Sequence, residues 1–487
     1  MRATAAFIAA MGFAIACRPG SAIQPEPDRG ASRTALARGT IAITHVSVIP
    51  MTSETVIPDA TVIVHNGRVT FVGPAADADI PSSATRVDGR GKFLIPGLTD
   101  MHAHLLSDGD EVRDEAGPAE LGVMLANGIT TTRLMMGTPE QLMLRANIAA
   151  GKIVGPNLWL ASPQLTGRES ENALVVKNAE EARSAVVKAA HDGYDFIKIT
   201  LFITPEVFDA ITSESKRLGI RVVGHVDPQV GLARALASGQ QLEHLDSFFE
   251  AAIADSSPIK ESVTQQFVYT GRNWASLDHI DDNKVDSLAG ATARAGIFVT
   301  PTQNVFNTAF AIGESDSTIR NRPDWDFWPP KMRELYMKTR ERYWGAQSLQ
   351  SRTPARRQRY VEVRNRIVKT MQDSGGRLMA GSDTPEFFQM YGWGLHRELQ
   401  ALVKAGLTPY QTLAAATTTP AAFLGATRAW GTVETGKRGD LVLLDANPLE
   451  QIENTMKISG VGIGGRWFSR ADLDEMIGRG RAAVAVR

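Results

Sequence analysis

Short apolar runs alternate with amphipathic stretches through the centre of the chain. Eight of these runs are rich in aliphatic or β-branched residues, which is typical of buried parallel strands. They cover residues 98–104, 130–134, 157–161, 195–200, 221–226, 241–246, 296–301 and 377–383. Helical periodicity lies between several of them, as at 180–191, 205–219 and 231–239. Strands and helices in this alternation predict an α/β fold, a (β/α)8 TIM barrel over residues 96–424.

The two ends of the chain have a different pattern. Residues 40–50 and 61–73 are β-branched runs, and Asn66-Gly67 between valine-rich segments indicates a hairpin. Similar strands recur at 439–445 and 461–467. We therefore predict a small β-sandwich domain formed from both chain ends, residues 39–95 and 425–475. The long segment 306–374 separates the last two barrel strands, and we expect it to form helices that cover the barrel mouth.

The first residues resemble a targeting segment. Arg2 precedes an apolar run that ends at Ala16, which is too short to span a bilayer and is typical of a signal peptide. Cys17 follows directly, as in a bacterial lipobox, so lipidation of Cys17 and ordinary secretory cleavage both stay open. We expect residues 1–17 to be a signal peptide, 18–38 a flexible linker, and the protein to be exported, periplasmic or membrane-anchored.

Composition removes several classes of function. The 487 residues contain 52 Lys+Arg and 53 Asp+Glu, so the balance of charge favours no nucleic-acid partner. A single cysteine allows neither an internal disulfide nor a thiolate zinc cluster. Any metal must therefore be held by His, Asp, Glu or Lys side chains.

Candidate metal-binding side chains stand at the strand ends. His102 and His104 are two residues apart, so both imidazoles face the same side of their strand. His225, His244 and Asp383 each close another apolar strand. The carboxyl ends of barrel strands form the active-site face, and imidazole and carboxylate suit zinc and related ions. Two surface histidines would be the plain alternative for His102 and His104.

Lys198 lies within a strand on the face opposite two isoleucines, so we expect it to point into the barrel. A buried lysine tends to lose its proton, and a neutral amine can capture carbon dioxide as a carbamate. A lysine paired with an inward carboxylate is an equal alternative. His396 begins a predicted helix after Asp383. For His396, support of the ligands and simple packing within the helix are both open.

The order His-x-His, Lys, His, His, Asp resembles the amidohydrolase superfamily. PGLTDMHAHL, EHLDSF, AGSDTP and GTVETGKRGDLVLLDANPL are similar to its signatures, and the resemblance covers nearly all of residues 40–470. The most similar subgroup contains imidazolonepropionase-like proteins and Xaa-Pro dipeptidases. The segment Phe-Ile-Lys-Ile around Lys198 resembles the carboxylated lysine of binuclear, peptidase-like members, which turns the expectation away from imidazolonepropionase activity.

The resemblance implies a role for each residue. His102, His104 and Asp383 would bind one divalent ion, His225 and His244 a second, and a CO2-derived carbamate on Lys198 would bridge them. Zinc is the default ion. A bridging hydroxide would attack the substrate, and Asp383 would accept its proton and pass it to the leaving amine.

The implied function is hydrolysis of a carbon–nitrogen bond in a small amide or dipeptide. One alternative is a mononuclear deaminase or cyclic-amide hydrolase in which Lys198 is structural. Another is a catalytically silent surface binding protein. The aromatic segment 385–393 either lines an apolar substrate pocket or packs under the insertion, and packing is favoured. Oligomeric state stays open, with a homo-oligomer as one option.

Overall fold

The computed structural model describes residues 37–105, 117–169, 173–260, 273–344, 351–386 and 388–485. The predicted signal peptide, Cys17 and most of the linker 18–38 lie outside these ranges. The described strands are β1 Thr40–Val48, β2 Ile57–His65, β3 Arg68–Pro74, β4 Thr85–Asp88, β5 Phe93–Pro96, β6 Leu98–Ala103, β7 Ile129–Leu134, β8 Asn157–Leu160, β9 Gln164–Thr166, β10 Ala173–Val175, β11 Phe196–Ile199, β12 Arg221–Gly224, β13 Gln241–Glu243, β14 Phe298–Thr300, β15 Arg377–Leu378, β16 Leu441–Leu444, β17 Ile458–Ile463 and β18 Arg466–Ser469.

Fourteen α-helices lie in the same ranges. They are α1 Ala119–Ala126, α2 Pro139–Ala149, α3 Ala179–Asp192, α4 Pro205–Leu218, α5 Leu232–Ser238, α6 Phe248–Ala251, α7 Asp282–Arg294, α8 Asp316–Arg320, α9 Pro330–Trp344, α10 Pro354–Asp373, α11 Trp393–Lys404, α12 Pro409–Ala415, α13 Thr418–Phe423 and α14 Arg470–Ala485. A π-helix spans Val305–Ile312, and 3-10 turns include Trp325–Phe327 and Ile452–Met456. None of these helices is long and apolar enough to cross a membrane.

Parallel strands form the centre of the molecule, which confirms the predicted α/β class. One sheet has the order β10-β9-β11-β12-β13-β14-β15, and a second has the order β6-β7-β8. Each of the eight predicted strands overlaps an observed one. Backbone hydrogen bonds also join the two sheets: Ser162 N donates to Phe196 O over 2.8 Å, and Asp383 N donates to His102 O over 2.7 Å. Neighbouring strand ends therefore lie side by side.

Helix α4 shows how the sequence builds these α/β units. Thr204 accepts a hydrogen bond from the Val207 backbone N–H, and Pro205 occupies the first turn. Val207, Phe208 and Ile211 are buried on one face of the helix. Gly219 ends the helix at a φ of +68°, a conformation in which glycine has no steric penalty. Capping and periodicity thus agree with the predicted limits 205–219.

The outer strands from both chain ends join in one eight-stranded sheet. Its order is β18-β17-β16-β5-β1-β2-β3, with β4 paired to β1. The antiparallel pairing of β16 with β5 connects the two ends. Asn66 and Gly67 have φ values of 48° and 78°, which confirms the predicted hairpin turn. The predicted domain limits themselves stay a prediction.

A C-terminal helix, α14, is absent from the sequence-based interpretation, which extended the β-rich region to residue 475. Leu473 and Met476 are buried on α14, and Met476 packs against Gly122 of α1. The apolar positions of α14 are few, so its periodicity is weak in the sequence. Packing against α1, rather than local pattern, stabilises this helix.

The described residues of the insertion are largely helical, as predicted. It comprises the π-helix, α8, the turn at Trp325–Phe327, α9 and α10. On its outer side α10 is held to the preceding segments by ion pairs, including Arg356–Asp278 at 2.6 Å and Arg366–Asp286 at 2.6 Å. On its inner side α10 carries Arg364, which reaches the strand ends described below.

Candidate metal centre

Three predicted histidine ligands surround the carboxylate of Asp383. His102 Nε2 and His104 Nε2 each lie 3.3 Å from Asp383 Oδ1, and His244 Nδ1 lies 3.7 Å from Oδ2. One ligand atom from each of His102, His244 and Asp383 falls within 4.8 Å of the others. A carboxylate among converging imidazoles is a donor set suited to a divalent transition-metal ion.

The strands bring these side chains together. His102 lies within β6, and His104 follows it just beyond the strand end. Gly381, two residues before Asp383, passes so close to β6 that a Cβ there would lie 2.8 Å from His102 Cβ and 2.4 Å from Thr300 Cγ2. Glycine at 381 therefore allows the segment carrying Asp383 to approach β6.

The backbone is strained where the ligands emerge. His244, Thr302 and Asp383 have φ values of 62°, 47° and 55°, in the left-handed region that non-glycine residues rarely adopt. Each such residue costs on the order of 1 kcal/mol. His244 Nδ1 also lies 2.8 Å from Thr302 Oγ1, so two of the strained residues contact each other. Residues held in such backbone conformations cluster at functional sites, which agrees with a functional role for these strand ends.

His102 has a buried carboxylate behind it. Its Nδ1 lies 2.9 Å from Glu243 Oε2, while its Nε2 faces Asp383. Arg133 donates to Glu243 Oε1 over 2.6 Å and to the Met101 carbonyl over 2.6 Å. A carboxylate that holds the far nitrogen of a histidine fixes the ring orientation and favours metal binding through the other nitrogen. The sequence-based interpretation missed Glu243 and Arg133, although Glu243 directly precedes His244.

Lys198 is buried among the same groups, with 1% of its surface exposed. Burial lowers the pKa of Lys198 to about 8, against the opposing effect of Glu243 and Asp383. About a tenth of such a lysine is neutral at pH 7, the form that reacts with carbon dioxide. Gly224 at φ +123° lies beside it: a Cβ there would be 3.0 Å from Lys198 Cδ and 2.1 Å from Ile199 O.

His225 stands at the edge of the group. Its ring stacks on that of His244 with centroids 4.6 Å apart, and its Nδ1 lies 2.7 Å from Asp246 Oδ2. It is not part of the compact set formed by His102, His244 and Asp383. The structure thus places His244 nearer to His102 and Asp383 than a division into two separate ligand sets would suggest.

His102 and His244 are in the neutral state that metal binding requires. Burial lowers the pKa of His102 and of His244 well below the usual range, so both rings are neutral and can donate a lone pair. His104 Nδ1 is buried and has no hydrogen-bond partner within the described residues. The residues present therefore fit a divalent cation on chemical grounds.

His396 and the aromatic segment 385–393 make their contacts away from the candidate ligands. His396 is buried, with Nδ1 2.9 Å from Thr455 Oγ1 and Nε2 3.1 Å from the Asn127 carbonyl. These contacts favour a role for His396 in packing α11 against neighbouring segments, rather than in supporting the candidate metal ligands. In the aromatic segment after Asp383, Phe388 packs against Trp325 and Tyr336 with centroids 5.7 and 5.3 Å apart. Packing under the insertion, the favoured alternative, agrees with these contacts.

Comparison with known families identifies the chain. The sequence pattern of the amidohydrolase family matches residues 93–468. The chain belongs to the amidohydrolase family. This membership confirms the resemblance drawn from the strand-end motifs. Curated relatives of this amidohydrolase include imidazolonepropionases. That of Idiomarina loihiensis is 39% identical over 77 residues, which are 15% of this chain and 19% of the relative. That of Cupriavidus necator is 26% identical over 263 residues, covering 42% of this chain and 62% of the relative.

Solved structures share the fold over most of the amidohydrolase chain. A bottromycin amidohydrolase superimposes with a TM-score of 0.70 and 24% identity, covering 91% of this chain and 90% of that one. A putative prolidase from Bifidobacterium longum gives a TM-score of 0.65 and 23% identity, with coverages of 91% and 99%. A Xaa-Pro dipeptidase gives 0.61 and 18%, with coverages of 88% and 100%. At these identities the likeness establishes the fold.

Proposed function

We propose that this amidohydrolase is a metal-dependent hydrolase of carbon–nitrogen bonds, acting on a dipeptide or another small amide. The observation that carries the proposal is the convergence of His102, His104 and His244 on the carboxylate of Asp383. Membership of the family and the curated and structural relatives support the same reaction class.

The ligand assignment is the one that the resemblance to the amidohydrolase family implies. His102, His104 and Asp383 would hold one divalent ion, His225 and His244 would hold a second, and Lys198 as a carbamate would lie between them. Zinc is the default ion for this set of donors. A divalent ion bound here would activate water at neutral pH and polarise the scissile carbonyl.

The chain's own residues perform the remaining tasks. Asp383 is partly exposed, with 15% of its side chain accessible, and is the carboxylate that can accept a proton from attacking water and return it to the departing nitrogen. Glu243 holds His102 through Nδ1, which leaves Nε2 directed at Asp383. Arg133 neutralises Glu243 in a region without solvent. This arrangement keeps the ligand ring fixed while Asp383 moves a proton.

A mononuclear site is the second candidate. The compact set of His102, His244 and Asp383 by itself suits one ion. Curated relatives named imidazolonepropionase favour a cyclic-amide substrate for this alternative. Lys198 would then be structural, so its replacement would leave metal content and turnover nearly unchanged.

The test is a screen of zinc-loaded protein against dipeptides, N-acyl amino acids and cyclic amides. We expect turnover of at least one amide, its loss on chelation, and a fall on the order of 100-fold or more in Asp383→Asn. Asp326→Asn, at an exposed carboxylate in the insertion, is the matched control and should retain activity. Turnover that survives both chelation and Asp383→Asn would refute the proposal.

Two further proposals concern architecture and location. We propose that β6, β7, β8, β11, β12, β13, β14 and β15 form one closed eight-stranded barrel, which the bridges Ala161–Phe196 and Ala103–Thr384 support.

We also propose export, with Cys17 as a lipid anchor, on the strength of the N-terminal sequence. Labelling with a radioactive fatty acid, compared between wild type and Cys17→Ser, tests the anchor.

A further inference from the structure

Thr302 follows β14 and lies against the ring of the candidate ligand His244. Strands β13 and β14 are parallel, with Glu243 paired to Thr300, and His244 N donates to the Thr300 carbonyl over 2.9 Å. This pairing brings Thr302 Oγ1 to 2.8 Å from His244 Nδ1. Asp383 Oδ2 lies 3.7 Å from the same nitrogen, beyond the range of a hydrogen bond. The buried hydroxyl of Thr302 is therefore the nearer partner of His244 Nδ1.

The Thr302 hydroxyl has one hydrogen and two neighbours. Its Oγ1 lies 2.8 Å from the Pro301 carbonyl oxygen, which can only accept a hydrogen bond. The contact with His244 Nδ1 can form with either atom as the donor. Both hydrogen bonds form together only if the hydroxyl donates to Pro301 and accepts from His244 Nδ1–H. A neutral imidazole with its proton on Nδ1 has its free lone pair on Nε2, the nitrogen that can then bind a metal.

Two helices fix the backbone on both sides of Thr302. Arg364 of α10 donates to the Pro301 carbonyl over 2.6 Å. Glu398 of α11 accepts from the two backbone N–H groups that follow Thr302, over 2.9 and 2.7 Å. Thr302 itself has a φ of 47°, which is unfavourable for a β-branched residue. These buried hydrogen bonds hold the strained residue in place, so its hydroxyl has a constant position beside His244.

The partner of His244 differs in charge from the partner of His102. His102 Nδ1 lies 2.9 Å from the carboxylate of Glu243, whereas His244 Nδ1 lies against a neutral hydroxyl. A partner on the far nitrogen fixes the tautomer and the orientation of a metal-binding ring, and a carboxylate also makes the ring more basic. The Thr302 hydroxyl can thus orient His244 without adding a charge.

We propose that Thr302 is a positioning residue for the candidate metal centre. Its hydroxyl holds the proton of His244 on Nδ1 and so directs Nε2 to the metal. The inference rests on the proposed function for a metal at His244, and goes beyond it in assigning the binding nitrogen and the residue that selects it. Without the hydroxyl, a proton on Nδ1 would be buried without this acceptor, so His244 should bind metal less tightly. Arg364 contacts the backbone of His244 and does not select a nitrogen.

The experiment compares wild type with Thr302→Val, Thr302→Ser and the control Thr412→Val. Valine keeps the branched shape of threonine and removes the hydroxyl, whereas serine keeps the hydroxyl and loses the methyl group. Thr412 of α12 is buried, and its hydroxyl has no hydrogen-bond partner among the described residues. Zinc content and the affinity for each bound ion are measured against a competing chelator. Crystals of zinc-loaded wild type and Thr302→Ser show which nitrogen of His244 binds zinc.

We expect Thr302→Val to bind one zinc ion about tenfold more weakly, as is typical when the partner of a metal-binding histidine is removed. Thr302→Ser should stay within about threefold of wild type, because its hydroxyl can form the same hydrogen bond. Thr412→Val should match wild type. In the crystals, zinc should lie on Nε2 of His244. Equal losses in Thr302→Val and Thr302→Ser, unchanged affinity in Thr302→Val, or zinc on Nδ1 would overturn the inference.

The role of Thr302 and the proposed reaction can fail separately. Hydroxyl-dependent zinc affinity in a protein that hydrolyses no amide would support the role of Thr302 and refute the reaction. Amide hydrolysis with zinc on Nδ1 of His244 would do the reverse, and wild type that binds no zinc would overturn both. If Thr302→Val does not fold, the nitrogen bound in crystals of wild type and the zinc affinity of Thr302→Ser decide.

Discussion

Replacement of Arg364 by methionine should lower the stability of the protein and weaken zinc binding at the candidate metal centre. Arg364 lies on α10, and its side chain is buried. It donates to the carbonyls of His244 and Pro301 over 2.8 and 2.6 Å, and to Gln303 Oε1 over 2.9 Å. Arg364 therefore ties the insertion to the strand ends that carry a candidate ligand and its neighbour Thr302.

The expected loss of stability follows from the acceptors that lose a hydrogen-bond donor. Methionine fills a similar volume but donates nothing, so three buried acceptors would be left without this partner. Each unsatisfied buried acceptor costs about 1–3 kcal/mol, and partial relaxation brings the sum to about 3–5 kcal/mol. The left-handed conformation of His244 also loses a support, so zinc affinity should fall together with stability.

The assay combines thermal unfolding with zinc affinity measured against a competing chelator. Arg366→Met is the matched control, because Arg366 lies on the same helix with 41% of its side chain exposed and pairs with Asp286. An exposed pair is worth about 0–1 kcal/mol. We expect Arg364→Met to lower the melting temperature by on the order of 5 °C more than Arg366→Met, and to weaken zinc binding selectively.

Equal melting temperatures for the two variants would refute the energetic reasoning. Unchanged zinc affinity in a destabilised Arg364→Met protein would refute the link between the insertion and the ligands, and would leave Arg364 with a role in folding alone.

Three other predictions use the same protein. Glu243→Gln should weaken zinc binding by about 10- to 100-fold in chelator competition, because His102 loses the carboxylate that orients it; unchanged affinity would contradict this. Lys198→Ala should bind one zinc ion fewer per chain by metal analysis, whereas the exposed Lys188→Ala should not, and equal counts would favour the mononuclear alternative. Burial lowers the pKa of His396 from 6.5 to about 4. As the pH falls, His396 is therefore protonated in the unfolded chain before it is protonated in the folded protein. The stability present above pH 6.5 is lost over this range. Melting curves should show a loss of about 2 kcal/mol between pH 7 and pH 5 that is absent in His396→Gln.

The strand-end residues could be predicted because local pattern and chemistry agree there. Buried parallel strands have an apolar pattern that is visible in sequence, and polar residues that close such strands meet at one edge of the sheet. His102 and His104 were therefore recognisable as a pair, and His225, His244 and Asp383 as further candidate ligands. The same pattern located the helices between the strands, since caps such as Thr204 and Gly219 mark their limits.

The supporting residues could not be predicted, because their partners are distant in sequence. Arg364 contacts His244 across 120 residues, and Arg133 contacts Glu243 across 110. Periodicity carries no information on such pairs. Only the tertiary contacts show which buried polar and charged groups have a partner.

The most direct test of the central claim is anomalous diffraction at the zinc edge from crystals grown with zinc. The account predicts two peaks: one at about 2.0–2.2 Å from the ligating atoms of His102, His104 and Asp383, and a second at the same distance from the ligating nitrogens of His225 and His244. Zinc-loaded crystals with no peak at Asp383, or with zinc bound only at surface sites, would contradict it.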